Sequence, residues 1–175
     1  MTQTVEVPPQ NGYYRIANVK HQGSMFCSNQ WSGWDHTVGM SPTDKEGNVD
    51  QPAHCAGKWR WYLERQEDDT YKITSAQVGG ELGASQRHSQ PYHAAVLTTH
   101  RQVDEASIDG WRWWITHEIG EIFKIVNVGG AGALGCMGTQ FSHHTDDLQV
   151  ACHQQEVVGT NWTSMHWHLK YISDQ

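Results

Sequence analysis

One stretch, Gly110-Trp111-Arg112-Trp113-Trp114-Ile115, recurs in altered form before and after itself. Upstream the chain reads Lys58-Trp59-Arg60-Trp61-Tyr62-Leu63, and near the end it reads Met165-His166-Trp167-His168-Leu169. Equating Trp61, Trp113 and Trp167 gives two nearly equal steps, a repeat period of about 50 residues that any fold of this chain must respect. A second signature keeps the same register. Tyr71-Lys72-Ile73 follows the first Trp at the same interval as Phe123-Lys124-Ile125 follows the second, and Tyr14-Arg15-Ile16 opens the series. Each unit therefore runs from an aromatic-basic-Ile segment to a Trp-rich one.

Within each unit the pattern predicts four short strands bounded by Gly, Pro and Asp. Unit one gives Tyr13 to Val19, Met25 to Ser28, Val38 to Met40 and Trp59 to Arg65, with a long polar loop from Ser41 to Gly57. Unit two gives Thr70 to Ala76, Leu82 to Ser85, Ala94 to Thr98 and Trp111 to His117. Unit three gives Ile122 to Val128, Leu134 to Met137, Leu148 to Cys152 and Met165 to Ile172. Met25, Leu82 and Leu134 share one offset from their units' leading aromatics Tyr14, Tyr71 and Phe123, and Cys27, Ala84 and Cys136 share another, two positions longer. With no helical periodicity, the expectation is an all-β chain of twelve strands in three pseudo-repeats, about 12–69, 70–120 and 121–172. Residues 1–11 form a polar lead-in left outside the fold.

A chain of 175 residues with 37% hydrophobic residues suits one domain, and its nine Trp point to an aromatic-rich core. Trp61, Trp113 and Trp167 are expected in that core, with Trp59 and Trp111 on the same face. By strand alternation Tyr62, Trp114 and His168 face the other way, and an exposed Trp114 would offer a stacking surface for a sugar ring. The formal charge of −7 without a Lys/Arg run argues against a nucleic-acid partner. No stretch has the apolar length of a membrane span. The segment Met1 to Pro9 has neither the basic nor the apolar region of a secretory signal, so the expectation is a cytoplasmic protein whose four Cys are thiols. The sequon Asn161-Trp162-Thr163 matters if the chain is secreted.

Twelve short strands in three aromatic-rich units resemble the β-trefoil family, in which six strands form a barrel and three hairpins cap one end. A three-bladed propeller would give the same strand count, but propellers typically need four or more blades. The resemblance covers residues 12–172 as a single domain and is nearest to the ricin-B-like lectins and the small cytosolic lectins and protease inhibitors of mushrooms. Where ricin-type units end in Gln-x-Trp, this chain has Trp59-Arg60-Trp61, Trp111-Arg112-Trp113 and His166-Trp167-His168. Where those lectins hold a galactose-binding Asp, it has Ser28, Ser85 and Met137; where they hold an aromatic platform, it has roughly Ser41, Thr98 and Cys152. The resemblance thus implies a trefoil without the usual galactose site. Cys136 and Cys152 flank a hairpin much as a disulfide pair does in ricin-type units, the alternative being reduced, buried thiols.

The most unusual segments are the loops joining the second and third strands of each unit: Gln30 to His36, Gln86 to His93 and Gln140 to Asp147. Each sets an aromatic beside a His, giving Trp34, His36, Tyr92, His93, Phe141, His143 and His144 as candidate ligand-binding residues. His36 stands as far from Tyr14 as His93 does from Tyr71, and His144 falls one position short of that spacing from Phe123, so a threefold axis would bring the imidazoles together. Polar hairpin tips that simply close the barrel are the plainer account of the same residues. A catalytic zinc is also held by three His with an open fourth position, with Asp35 or Asp146 as supporting carboxylate. No His-x-x-x-His spacing accompanies them, and no metal or cofactor is expected. Nor is there a Gly-x-Ser-x-Gly motif or a phosphate loop, Gly129 to Gly132 being a turn. Three functions stay open: a carbohydrate-binding, lectin-like module of the cytosolic fungal type with a loop-built site for a glycan or small molecule; a trefoil protease inhibitor acting through a loop such as Ser41 to Gly57; and, against the general lean, an enzyme with a His-lined pocket.

Overall fold

The computed structural model describes residues 9–32, 35–41, 56–88, 93–99, 102–140, 147–153 and 162–173. Twelve strands join in one sheet. Unit one contributes β1 (Gly12–Asn18), β2 (Ser24–Ser32), β3 (Asp35–Ser41) and β4 (Trp61–Arg65). Unit two contributes β5 (Tyr71–Ser75), β6 (Glu81–His88), β7 (His93–Thr99) and β8 (Trp113–Ile119). Unit three contributes β9 (Ile122–Asn127), β10 (Gly132–Gln140), β11 (Leu148–His153) and β12 (His166–Ser173).

The pairings close two rings. The first runs β1–β4–β5–β8–β9–β12 and returns to β1, every contact antiparallel, which makes a six-stranded barrel. The second links the hairpins β2/β3, β6/β7 and β10/β11 through their later strands. There His36 faces Thr98, Ala94 faces Cys152 and Leu148 faces Met40. These three pairs are equivalent under the repeat, since Cys27 pairs Val38, Ala84 pairs Val96 and Cys136 pairs Val150. All three hairpins also break register at the same place, after Cys27, Ala84 and Cys136.

The core follows the alternation of the strands. Ile16, Ile73 and Ile125 are fully buried, as are Trp61, Trp113 and Trp167. A buried indole needs an acceptor for its N–H, and each finds the same one: Trp61 Nε1 donates to Met25 O (3.0 Å), Trp113 to Leu82 O (2.9 Å) and Trp167 to Leu134 O (2.9 Å). The shared offset of Met25, Leu82 and Leu134 from the leading aromatics thus marks the carbonyls that receive the tryptophans.

Trp59 and Trp111 depart from the expected strands. They end helical turns at Ala56–Trp59 and Glu105–Trp111, and Met165 ends a third at Trp162–Met165. Strand alternation and a turn entering a strand leave the same Trp-x-Trp spacing, so the pattern does not separate them. These residues cover the outer side of each hairpin rather than extending the barrel core. Trp59 packs edge-on against Phe26 with ring centroids 5.2 Å apart. Gly83 stands at the place of Phe26 in unit two, where any Cβ would run into the Trp111 ring. Gly135 in unit three has Met165 and His153 side chains above it. At the far end of the barrel the Tyr14 and Tyr71 hydroxyls donate to the carbonyls of Gln10 and Pro9, so residues 9–11 of the lead-in are held against the barrel.

Candidate functional site

The hairpin ring brings the strands that flank the three His-and-aromatic loops to one end of the barrel. Of the candidate residues, Trp34, Tyr92, Phe141, His143 and His144 lie outside the described residues, as does Asp146. His36 is buried, and its Nδ1 lies 2.8 Å from the carbonyl oxygen of Ser28. That bond ties the imidazole to its own hairpin. His93 opens β7 and is the backbone partner of His153. The register equates His36 with Ala94 and Leu148, and it places His93 with Asp35 and Asp147. His36 pairs with Thr98, five positions and roughly 17 Å of strand from His93. The backbones of these two His are therefore not adjacent.

The described positions of a galactose site carry neither a carboxylate nor an aromatic ring, and Ser85 is half-buried. Ser28 is buried, and the residue equivalent to Thr98 and Cys152 is Met40 rather than Ser41; all three are fully buried. Cys27, Cys136 and Cys152 are free thiols. Burial raises the Cys152 thiol above its ordinary range, and it raises Cys27 as well, with the hydroxyl of Thr98, 3.1 Å from Cys27 Sγ, pulling the other way. Neither is an activated nucleophile. Among the described residues no group of three His, Cys, Asp or Glu is placed to hold a metal ion.

Outside the barrel, Tyr62, Trp114 and His168 occupy one position of the repeat and point away from the core, as alternation requires. Trp114 is 44% exposed, Tyr62 and His168 less so. Tyr62 meets the edge of Tyr13 at 5.0 Å, and the Arg60 guanidinium lies 4.5 Å from the Tyr13 ring centre. Next to His168 a cleft of about 580 Å³ opens between β1, β12 and the turn that precedes β9. Its polar lining is Arg15, Asn18, Gln22, Glu121, His168 and Lys170. The volume falls in the range of small-molecule sites. Sequence reasoning missed it, because Arg15 and Lys170 become neighbours through the closure of β12 on β1.

No family model matches the sequence, and comparison with curated proteins gives no match. Solved structures do match over nearly the whole chain. A Caenorhabditis elegans protein of unknown function superposes with a TM-score of 0.72 at 11% identity, covering 97% of this chain and 98% of that one. A salivary protein of Culex quinquefasciatus from the Cysteine and Tryptophan-Rich family gives 0.68 at 17% identity, covering 97% and 100%. The designed three-fold symmetric protein ThreeFoil gives 0.66 at 17% identity, covering 92% and 99%. At these identities the likeness is one of fold, and it agrees with the threefold pairing described above. The chain has a trefoil-like, all-β fold.

Proposed function

We propose that this chain is a β-trefoil module, residues 12–172, that binds glycans in the manner of a lectin and performs no chemistry. Its site is built by the loops at the hairpin end rather than by the galactose motif. One observation carries the reading: the ring of β3, β7 and β11 gathers three hairpins whose connecting loops each carry an aromatic beside a His. Aromatic faces stack on the apolar side of a sugar, and imidazole and carboxamide groups bond its hydroxyls. A rigid scaffold with sequence-variable loops is where binding residues usually sit. Trp34, Tyr92 and Phe141 are the stacking candidates, and His93, His143 and His144 the polar ones. His36, bonded to Ser28, supports its hairpin instead. Three buried free thiols suit a cytoplasmic setting, where Cys stay reduced.

The test is a glycan array probed with the purified protein, run beside a panel of proteases assayed for inhibition. Binding to a defined glycan class with no protease inhibited is the expected outcome. Inhibition of a protease at stoichiometric concentration, with an empty array, would replace the reading with that of an inhibitor.

A further inference from the structure

The outward face of the β8–β9 hairpin carries apolar side chains that its repeat equivalent lacks. In β8–β9 Trp113 pairs Asn127 and His117 pairs Phe123, as Trp61 pairs Ser75 and Arg65 pairs Tyr71 in β4–β5. Aligned in this way, the outward positions Tyr62, Thr74, Glu64 and Lys72 of β4–β5 become Trp114, Val126, Thr116 and Lys124. The tips differ in the same sense. One reads Gln66-Glu67-Asp68-Asp69-Thr70 and the other Glu118-Ile119-Gly120-Glu121-Ile122, which sets Ile119 in the place of Glu67 and Ile122 in the place of Thr70. The barrel closes with either hairpin, so the apolar set is not something the fold requires.

Trp114 is 44% and Ile119 71% exposed, two of the three exposed large hydrophobic side chains among the described residues. Trp114 is the cross-strand partner of Val126, and Ile119 of Ile122, so each pair shares one side of the sheet. Trp113 and Phe123, buried at the neighbouring positions, make that side the outer one. Thr116 and Lys124 form the pair between them. The tip is held from below. His117 Nε2 lies 2.8 Å from Gly120 O, and its ring meets Phe123 edge-on with centroids 5.2 Å apart. A side chain presented on a fixed turn loses little freedom when it is covered.

We propose that this face is the contact of a weak homodimer, covered by the same face of a second copy of this chain. A two-fold contact needs a self-complementary surface. With the axis running along the hairpin, Trp114 meets Val126 of the second copy, Ile119 meets Ile122, and Lys124 meets Thr116 with the exposed Glu118 two positions on. Apolar groups then meet at both ends and opposite charges between them. A lipid surface fits less well, because Glu118 and Glu121 flank Ile119 and the chain carries a net charge of −7, which anionic headgroups repel. Trp114 and Ile119 are separated by about 17 Å of strand, short of the extent of a standard interface of about 800 Å² per partner. The dimer therefore forms at high protein concentration. It uses none of β3, β7 and β11, so the inference does not depend on glycan binding at the hairpin end.

The experiment is sedimentation equilibrium of the full-length protein, without glycan, from about 10 μM to about 1 mM, with amide chemical shifts recorded over the same dilution series. A reversible monomer–dimer equilibrium with a dissociation constant of about 0.1–1 mM is expected. The shifts that move with concentration should centre on β8 and β9. Ile119→Glu introduces the residue type that β4–β5 carries at the equivalent position, so this variant should fold, and it should dimerise more weakly by about tenfold or more. Should it not fold, Ile119→Ser carries the same expectation. The proposal is overturned if the parent stays monomeric at about 1 mM, or if a folded Ile119 variant dimerises as tightly as the parent. A monomeric parent that cosediments with phosphatidylcholine vesicles, and loses this in the Ile119 variant, would assign the face to a lipid surface instead.

Discussion

Replacing Trp113 by Ala tests the barrel core at a position with an internal control at the next residue. Trp113 is fully buried, and its indole N–H is the donor to Leu82 O at 2.9 Å. A buried Trp carries about 150–250 Å² of surface, which at about 25 cal/mol per Å² is an upper figure of about 4–6 kcal/mol. Large-to-small core substitutions of this type cost about 3–5 kcal/mol. The Leu82 carbonyl also loses its donor, which moves the expectation to the upper part of that range. Domains are stable by about 5–15 kcal/mol, so the variant should fold with a large deficit. Trp114→Ala, on the exposed side of the same strand, should cost less than about 1 kcal/mol. Urea titrations followed by far-ultraviolet circular dichroism, compared at equal m-values, measure both. Similar costs for the two variants, or a loss for Trp113→Ala as small as that expected of Trp114→Ala, would refute the assignment of inside and outside on β8.

Gly83→Ala should destabilise by about 1–3 kcal/mol through overpacking against Trp111, whereas Gly79→Ala, where nothing lies within 4 Å, meets the strain of its φ of +68° alone; thermal melts of the two variants separate steric from backbone cost. Burial raises the Cys27 and Cys152 thiols in the folded state, so their contribution is intact below the unfolded thiol pKa of about 9 and is lost as pH rises beyond it. Stability in urea should fall from about pH 9 to about pH 10.5 more steeply in the parent than in a Cys27→Ala/Cys152→Ala variant. Lactose should give no heat of binding, since Ser28 and the Met40, Thr98 and Cys152 positions offer neither carboxylate nor aromatic face; millimolar binding lost on substituting Ser28 would contradict that.

The repeat was legible because the barrel needs the same things three times. Each unit requires a Trp that reaches a neighbouring carbonyl and an Ile beneath it, and both appear in the spacing of Trp61, Trp113 and Trp167. What spacing did not reveal depends on local register or on closure. The segments between the paired residues Trp31 and His36, His88 and Ala94, and Gln140 and Leu148 differ in length, so counting from Tyr14, Tyr71 or Phe123 does not keep the register of β3, β7 and β11. His36 and His93 consequently differ by one position in the hairpin register, although their sequence offsets agree. The helical turns before β4 and β8 imitate strand alternation through Trp59 and Trp111. The Arg15–Lys170 pair joins the two ends of the chain and becomes visible when β12 closes the barrel.

The most direct measurement of the central claim compares dissociation constants for the tightest array glycan between the parent, a Trp34→Ala/Tyr92→Ala/Phe141→Ala variant and Trp114→Ala. If the hairpin end is the site, the triple variant should keep its circular dichroism spectrum and lose affinity by about a hundredfold, for two or more stacking contacts, while Trp114→Ala binds as the parent does. Parent-like affinity in the triple variant, with binding lost in Trp114→Ala, would contradict the account and move the site to the outer face of β8.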